Sequence, residues 1–231
     1  METKEDIFKL EDLIQMSGEI TDSIGNIDID FLYKYLQKYV MMLKTMGKIV
    51  EIGFADVQSK SQILLDNKQK MIEEGWEVTT VEQLVDKEIE MGLKNVNGNN
   101  NGKHGIKKGE KYYTHIGGCR TTERVLRFLN FVVYIMENLY NNREDSLSKC
   151  VKGAYDKELA ACHSFFLRNT IKGILFLLPS RDSFFTGVTK NSEEMTEEQK
   201  YDLIKHLIDD SLKLTNYINS FLKERDWIGL P

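Results

Sequence analysis

The chain has 231 residues, a net charge of −5, 41% hydrophobic residues and only two prolines, Pro179 and Pro231. That length suits one large domain or two small ones, the apolar share is enough for a sizeable core, and helices can run long without interruption. The acidic balance argues against a nucleic-acid partner, so any anion site has to be local.

Residues from about Ile7 to Met16 are amphipathic and predict a first helix, followed by a turn-rich stretch from Gly18 to Asn26. From Asp28 the apolar positions Phe31, Leu32, Tyr35, Leu36, Tyr39, Val40 and Leu43 recur at three and four, the signature of a helix, and Gly47 punctuates it. A further helix carries Ile49, Val50, Ile52, Phe54, Val57, Ile63 and Leu64, with Asp56 and Lys60 four apart on one face. Thr79-Thr-Val-Glu82 is a capping-box pattern that starts a helix running to about Gly92.

The composition then shifts. Residues from about 94 to 112 hold Asn-Gly-Asn-Asn-Asn-Gly and Lys-Lys-Gly-Glu-Lys. Such a stretch has too little apolar area to offset its ordering entropy, and a mobile insertion is expected. Gly117 to about Asn141 reads as a helix in two halves. The first carries Arg120, Arg124 and Arg127; the second is almost wholly apolar, from Phe128 through Val132 to Met136. After a polar link, Ala154 to Leu178 reads as one long helix containing His163, Phe165, Phe166 and Ile174, broken by Pro179. A short helix with Phe184 and Phe185 follows. Thr196-Glu-Glu-Gln199, a second capping-box pattern, opens the last helix, and Trp227 begins an apolar tail that has to dock. No alternating stretch of useful length appears, which predicts an all-α fold of about eight helices in a single domain spanning 1–231.

The three cysteines, Cys119, Cys150 and Cys162, have no metal spacing and fit a reduced cytoplasmic setting. No cofactor motif is present: neither a Gly-rich phosphate loop nor a His-Glu-x-x-His element occurs. The N-terminus lacks the apolar core of a signal peptide, and the most apolar run, Ile171 to Leu178, is interrupted by Lys172 and too short for a bilayer.

Spacings of four and three place the three arginines within about 60° of arc on one helix face. Taken alone they read as a solvated basic stripe. Asp56 and Lys60 alone read as a surface ion pair, and His163 alone as a core histidine. As a set, a carboxylate, a lysine, aligned arginines and a histidine on three apolar helices suit an amphiphile with an amide and a phosphate at one end. The aspartate accepts from amide N–H and hydroxyl, the histidine donates to the amide carbonyl, and guanidinium forks grip the phosphate.

Three segments carry a resemblance. Met46-Gly47 followed by Asp56-x-x-x-Lys60 is one. Arg120-x-x-x-Arg124-x-x-Arg127 is the second, and His163-Ser-Phe165 followed by Leu178-Pro179-Ser-Arg181 is the third. In order and spacing the chain resembles the glycolipid transfer protein superfamily, and within it the ceramide-1-phosphate transfer branch, over about Ile29 to the C-terminus. The resemblance implies a two-layer all-α sandwich enclosing a lipid pocket, no enzyme activity and no cofactor. It implies Lys60, Arg120 and Arg124 on the phosphate, Asp56 and His163 on the ceramide amide, and Arg127 as a support of the site. An apolar pocket of Ile49, Phe54, Val57, Phe128, Val132, Phe165, Phe166 and Ile174 is expected with it. Glycolipid-selective members have a tryptophan where Arg124 stands, as a platform for sugar. The chain departs from the family pattern at Ser164-Phe165, where Gly-Trp is usual, and at Phe128, which replaces a small residue. The expected function is monomeric, cytoplasmic transfer of ceramide-1-phosphate or a related sphingolipid, with transient contact to a membrane surface. A sphingolipid sensor acting through a protein partner, a glycolipid carrier and a helical adaptor for acidic peptides stay open as alternatives.

Overall fold

Capping chemistry sets most helix starts. Asp28, Ser146, Ser164, Ser180 and Thr196 each accept a backbone N–H three residues on, satisfying an amide that the helix leaves unpaired. The computed structural model describes residues 8–47, 51–98, 101–192 and 194–227, and of residues 51–54 and 162 it describes the backbone alone. Among these residues are nine α-helices: α1 Leu10–Asp22, α2 Ile29–Lys44, α3 Glu51–Glu73, α4 Val81–Glu90, α5 Gly118–Asn141, α6 Leu147–Glu158, α7 Phe165–Leu175, α8 Arg181–Val188 and α9 Glu197–Glu224. No strand occurs among them, only isolated bridges between Asp28 and Thr80 and between Asn97 and Ile116.

The helices form the sandwich expected of the sequence. α5 packs on α9, α6, α3 and α4, while α1 and α2 close the assembly by packing on α9 and α3. The apolar positions of α2 recur at three and four, and that face is buried throughout, from Ile29 to Leu43. Tyr35 and Tyr39 sit fully inside because their hydroxyls find partners: Ser17 at 3.1 Å from Tyr35, and Ser211 at 2.6 Å from Tyr39. Burial first, then the neighbouring Tyr35 dipole, pushes the Tyr39 phenol well above its ordinary value, so this knot of hydroxyls stays neutral.

Several elements differ from the sequence expectation. α1 runs through Gly18 to Asp22, because Leu13, Ser17 and Ile20 continue the buried face and tertiary packing outweighs the roughly 1 kcal/mol helix cost of glycine. The first capping box lies one residue later than expected, on Thr80 and Gln83. Glu82 instead turns inward and accepts from the Ile27 N–H at 3.0 Å and the Tyr217 hydroxyl at 2.9 Å. A helix occupies part of the expected polar link, since α6 begins at Leu147. The long helix expected from Ala154 is divided. α6 ends at Glu158, a single 3₁₀ turn spans Ala160–Cys162, His163 is extended, and Ser164 caps a new helix. That break decides which residues of α7 face the site.

Candidate functional site

The site is built on the first turns of α5. Gly117 lies so close to the preceding loop that a Cβ there would stand 3.0 Å from the Leu93 carbonyl oxygen, and one at Gly118 would stand 3.0 Å from Glu88 Oε2. A side chain at either position would force its neighbour to give by a few tenths of an ångström. Glu88, 1% exposed, uses the close approach to accept from the Gly118 N–H, while its other oxygen accepts from Asn67 at 3.1 Å and pairs with His115 Nε2 at 2.9 Å. A carboxylate at a helix N-terminus is favoured by the unpaired amides there.

The Asn-rich segment has polar anchors where the sequence offered no apolar ones. Asn101 is fully buried, donates to the carbonyls of Tyr112 at 2.9 Å and His115 at 2.8 Å, and accepts from the Asn97 N–H at 2.6 Å. It therefore clamps both ends of the segment against the start of α5.

Beside this mount lies a cavity of about 430 Å³, walled by Asp56 and Lys60 from α3, Arg120 and Arg124 from α5, and His163 with Leu167, Ile171 and Ile174 from the α7 region. Lys60 Nζ stands 3.4 Å from Asp56 Oδ1. Among the described residues no carboxylate pairs with Arg120 or Arg124. Burial lowers the Arg120 guanidinium below its ordinary value, and the Arg124 charge pushes it the same way against a smaller pull from Glu123. Two cations that raise each other's cost face one cavity. That arrangement is stable when an anion enters it. His163 Nδ1 lies 2.9 Å from the Tyr155 hydroxyl. Burial holds its imidazole below the usual value, Asp56 pulls upward, and Arg124 and Arg168 push down again. In the tautomer in which the Tyr155 hydroxyl donates to Nδ1, the ring hydrogen sits on Nε2 and can be given to a carbonyl acceptor.

The family model for glycolipid transfer protein matches residues 27–190, most of the chain and all of these cavity residues. The chain belongs to the glycolipid transfer protein family. A relative from Danio rerio, a ceramide-1-phosphate transfer protein, is 26% identical over 181 residues, covering 78% of this chain and 79% of its own. One from Mus musculus with the same name is 23% identical, covering 93% and 95%. Among solved structures, ligand-free mouse ceramide-1-phosphate transfer protein superposes with a TM-score of 0.76 at 20% identity over 97% of this chain and 100% of that one. The human protein in complex with 12:0 ceramide-1-phosphate gives 0.74 at 18%, over 97% and 100%. Arabidopsis accelerated-cell-death 11, as a mutant holding C12 ceramide-1-phosphate, gives 0.73 at 14%, over 97% and 98%. These likenesses establish the family's fold for this chain.

Within that fold, Asp56, Lys60, Arg120, Arg124 and His163 converge on the one cavity. Arg127 does not line it; its guanidinium pairs with Glu123 at 2.6 Å, and Glu123 also accepts from the Trp227 indole at 3.2 Å. Arg127 thus joins the network that docks Trp227 on α5. Of the expected apolar pocket, Ile174 lines the cavity, and Val57, Phe128 and Val132 are buried in the core. Ile49 lies outside the described residues, as does the side chain of Phe54. Phe165 and Phe166 are a correction: they are 75% and 81% exposed. Because Ser164 restarts the helix, the two phenylalanines occupy its first turn and point outward, while Leu167, Thr170, Ile171 and Ile174, at three- and four-residue spacing, turn to the cavity. Those cavity positions were open to a periodicity argument begun at Ile174. Thr121 lies three residues before Arg124 on α5 and was open to the same argument, whereas Tyr155 and Asn97 carry no such signal, since one joins the site through a tertiary contact and the other from a loop.

Proposed function

We propose that this protein binds ceramide-1-phosphate and carries it between membranes, making and breaking no bond. The observation that supports this most is the pair of guanidiniums, Arg120 and Arg124, lining one cavity with Lys60, Asp56 and His163. A phosphate carries about −1.5 to −2 charges near neutrality and relieves the mutual repulsion of the two arginines. Asp56 reads the amide N–H and hydroxyl of the ceramide, and His163 its carbonyl. A glycolipid, by contrast, would leave both guanidiniums without a counter-charge, where a flat aromatic would be needed to stack a sugar.

The energetic problem of such a carrier is extraction. Each methylene left in water costs about 0.8 kcal/mol, so a long acyl chain resists leaving the bilayer by on the order of 10 kcal/mol. A carrier removes that penalty by taking the chains into an apolar space, and Leu167, Ile171 and Ile174 give the cavity apolar wall alongside its polar groups. Exposed apolar residues at the two ends of α7 support transient membrane contact: Phe165 and Phe166 in its first turn and Phe176 and Leu177 just past its end are 75%, 81%, 87% and 65% exposed. Among the described residues no helix is long and apolar enough to cross a membrane, so such contact is peripheral.

Transfer of labelled ceramide-1-phosphate and of labelled glucosylceramide between vesicles, measured side by side, tests the reading. Fast movement of the phosphorylated lipid alone is expected, with transfer abolished in Arg124→Ala and in Asp56→Val while the helical circular dichroism is kept. Movement of the glycolipid instead, or full activity in both variants, would reject it.

A further inference from the structure

Tyr155 is a buried tyrosine with a single hydrogen bond, and that bond is to a group of the site. It lies on α6, 3% exposed, and among the described residues its hydroxyl meets only His163 Nδ1, at 2.9 Å. The two rings lie tilted, with centroids 5.6 Å apart. His163 has no helix to hold it. It is the extended residue between the 3₁₀ turn Ala160–Cys162 and the Ser164 cap of α7, with φ −101° and ψ 142°. The direction of its imidazole is left to side-chain contacts, and among the described residues the Tyr155 hydroxyl is the one hydrogen bond the ring makes.

The phenol decides which of the two groups donates. Burial raises it above its ordinary value, with Arg168 pulling it down and Asp156 pushing it up, so it keeps its hydrogen at neutral pH. Were Nδ1 to donate instead, that hydrogen would be left without an acceptor, at the desolvation cost of an unmet donor. Burial also holds the His163 imidazole below its ordinary value, so the ring carries one hydrogen, and that hydrogen falls to Nε2. Nε2 has no partner among the described residues and is not one of the buried atoms left unmet, so it stays accessible on a residue of the cavity wall. Resting on the function proposed above, we infer that Tyr155 is a positioning residue: its hydroxyl donates to Nδ1, sets the ring, and keeps the hydrogen on Nε2 for the amide carbonyl of the ceramide. In the other tautomer a bare Nε2 would meet the carbonyl oxygen, acceptor against acceptor. Tyr155 is not one of the residues that line the cavity, so its effect on ligand passes through His163.

The test has two arms. The first is nitrogen NMR of the lipid-free wild type carrying labelled histidine, above neutral pH, with the His163 signals identified by their absence from His163→Ala. One tautomer is expected, with the hydrogen on Nε2 and Nδ1 bare. The second is affinity for a short-chain ceramide-1-phosphate in solution, for wild type, Tyr155→Phe, His163→Ala and the double variant. Tyr155→Phe keeps the packed ring and its circular dichroism, and is expected to bind about three- to tenfold more weakly, the size of one hydrogen bond. The double variant is expected to bind as His163→Ala does and no more weakly, because Tyr155 acts only through the histidine. A hydrogen found on Nδ1 would overturn the assignment, as would an unchanged affinity in Tyr155→Phe or losses that multiply in the double variant. A wild type whose Nε2 carries the hydrogen but which binds no ceramide-1-phosphate would instead reject the transfer reading itself.

Discussion

At the scale of single residues, the site holds charges without counter-charges. Burial and then the Arg124 charge hold Arg120 below its ordinary value, and neither arginine has a carboxylate partner among the described residues, so removing Arg124 should not weaken the empty fold. Arg124→Ala is expected to leave the lipid-free melting temperature level or slightly raised, while affinity for ceramide-1-phosphate falls roughly 10- to 100-fold, the range of a lost bond to a charged group. Titration calorimetry beside differential scanning calorimetry checks both halves. His163 gives a pH dependence. Its imidazole lies below the ordinary value in the folded chain, so the unfolded chain takes up the proton first on acidification. The stability it contributes is complete above the unfolded value of about 6.5 and is lost as pH falls through the lower folded value. Wild type should therefore lose melting temperature relative to His163→Asn between about pH 7 and pH 5; parallel curves would rule this out. These residues were legible because helical spacing is a strong constraint: residues 56 and 60, and 120 and 124, share a face wherever the helix goes. Asn97 was not legible, since a loop has no period and its place in the wall depends on the Asn101 clamp and the bridge to Ile116.

At the scale of elements, α5 carries the argument because it is fixed at both ends by charges that suit its dipole. Glu88 meets the Gly118 N–H at the N-terminus. At the C-terminus Arg181 donates to the carbonyls of Leu139, Asn142 and Asp145, the last two at 3.1 and 3.2 Å, and to the Tyr201 hydroxyl at 2.7 Å. An anion at the start and a cation at the end both lower the energy of the helix. The sequence motif Leu178-Pro179-Ser-Arg181 is thus a cap for a helix some forty residues earlier, a role that spacing alone does not reveal. Replacing Glu88 by Ala strands the Gly118 N–H, Asn67 and His115 in a dry interior. A loss of about 3 kcal/mol is expected, which for a chain of this size lowers the melting temperature by roughly 6–12 °C. Arg181→Lys should also destabilise, because one ammonium cannot reach four acceptors in a planar fork. A melting temperature within a degree of wild type in either variant would show that α5 is held by its apolar face alone. The same scale shows where sequence reading fell short. The stretch from Ala154 to Leu178 has helical spacing on both sides of His163, and nothing in that spacing records that Ser164 would bond the Leu167 amide and restart the helix in a new direction.

At the scale of the molecule, the restart at Ser164 divides the labour of α7 between two faces. Ile171 and Ile174 line the cavity, whereas Phe165, Phe166, Arg168 and Lys172 on α7, and Phe176 and Leu177 just past its end, are exposed. Exposed apolar residues flanked by cations are the pattern of an interfacial helix, which sinks its apolar residues among acyl chains while its charges meet anionic headgroups. A carrier has to bind membranes weakly, because tight binding would make release rate-limiting. Four large exposed side chains, rather than a whole apolar face, fit that requirement. The expectation follows from area: burying a phenylalanine fully is worth about 1.5–3 kcal/mol, and partial insertion of two gives of order 2 kcal/mol. The double variant Phe165→Ala/Phe166→Ala should therefore bind anionic vesicles about 30-fold more weakly and transfer lipid more slowly in proportion. Its affinity for a short-chain ceramide-1-phosphate in solution should be unchanged, since neither ring lines the cavity. Sedimentation with vesicles, transfer rate and solution binding separate the possibilities. A loss of solution affinity would place the two rings in the pocket after all, and unchanged vesicle binding would move the docking surface elsewhere on the molecule.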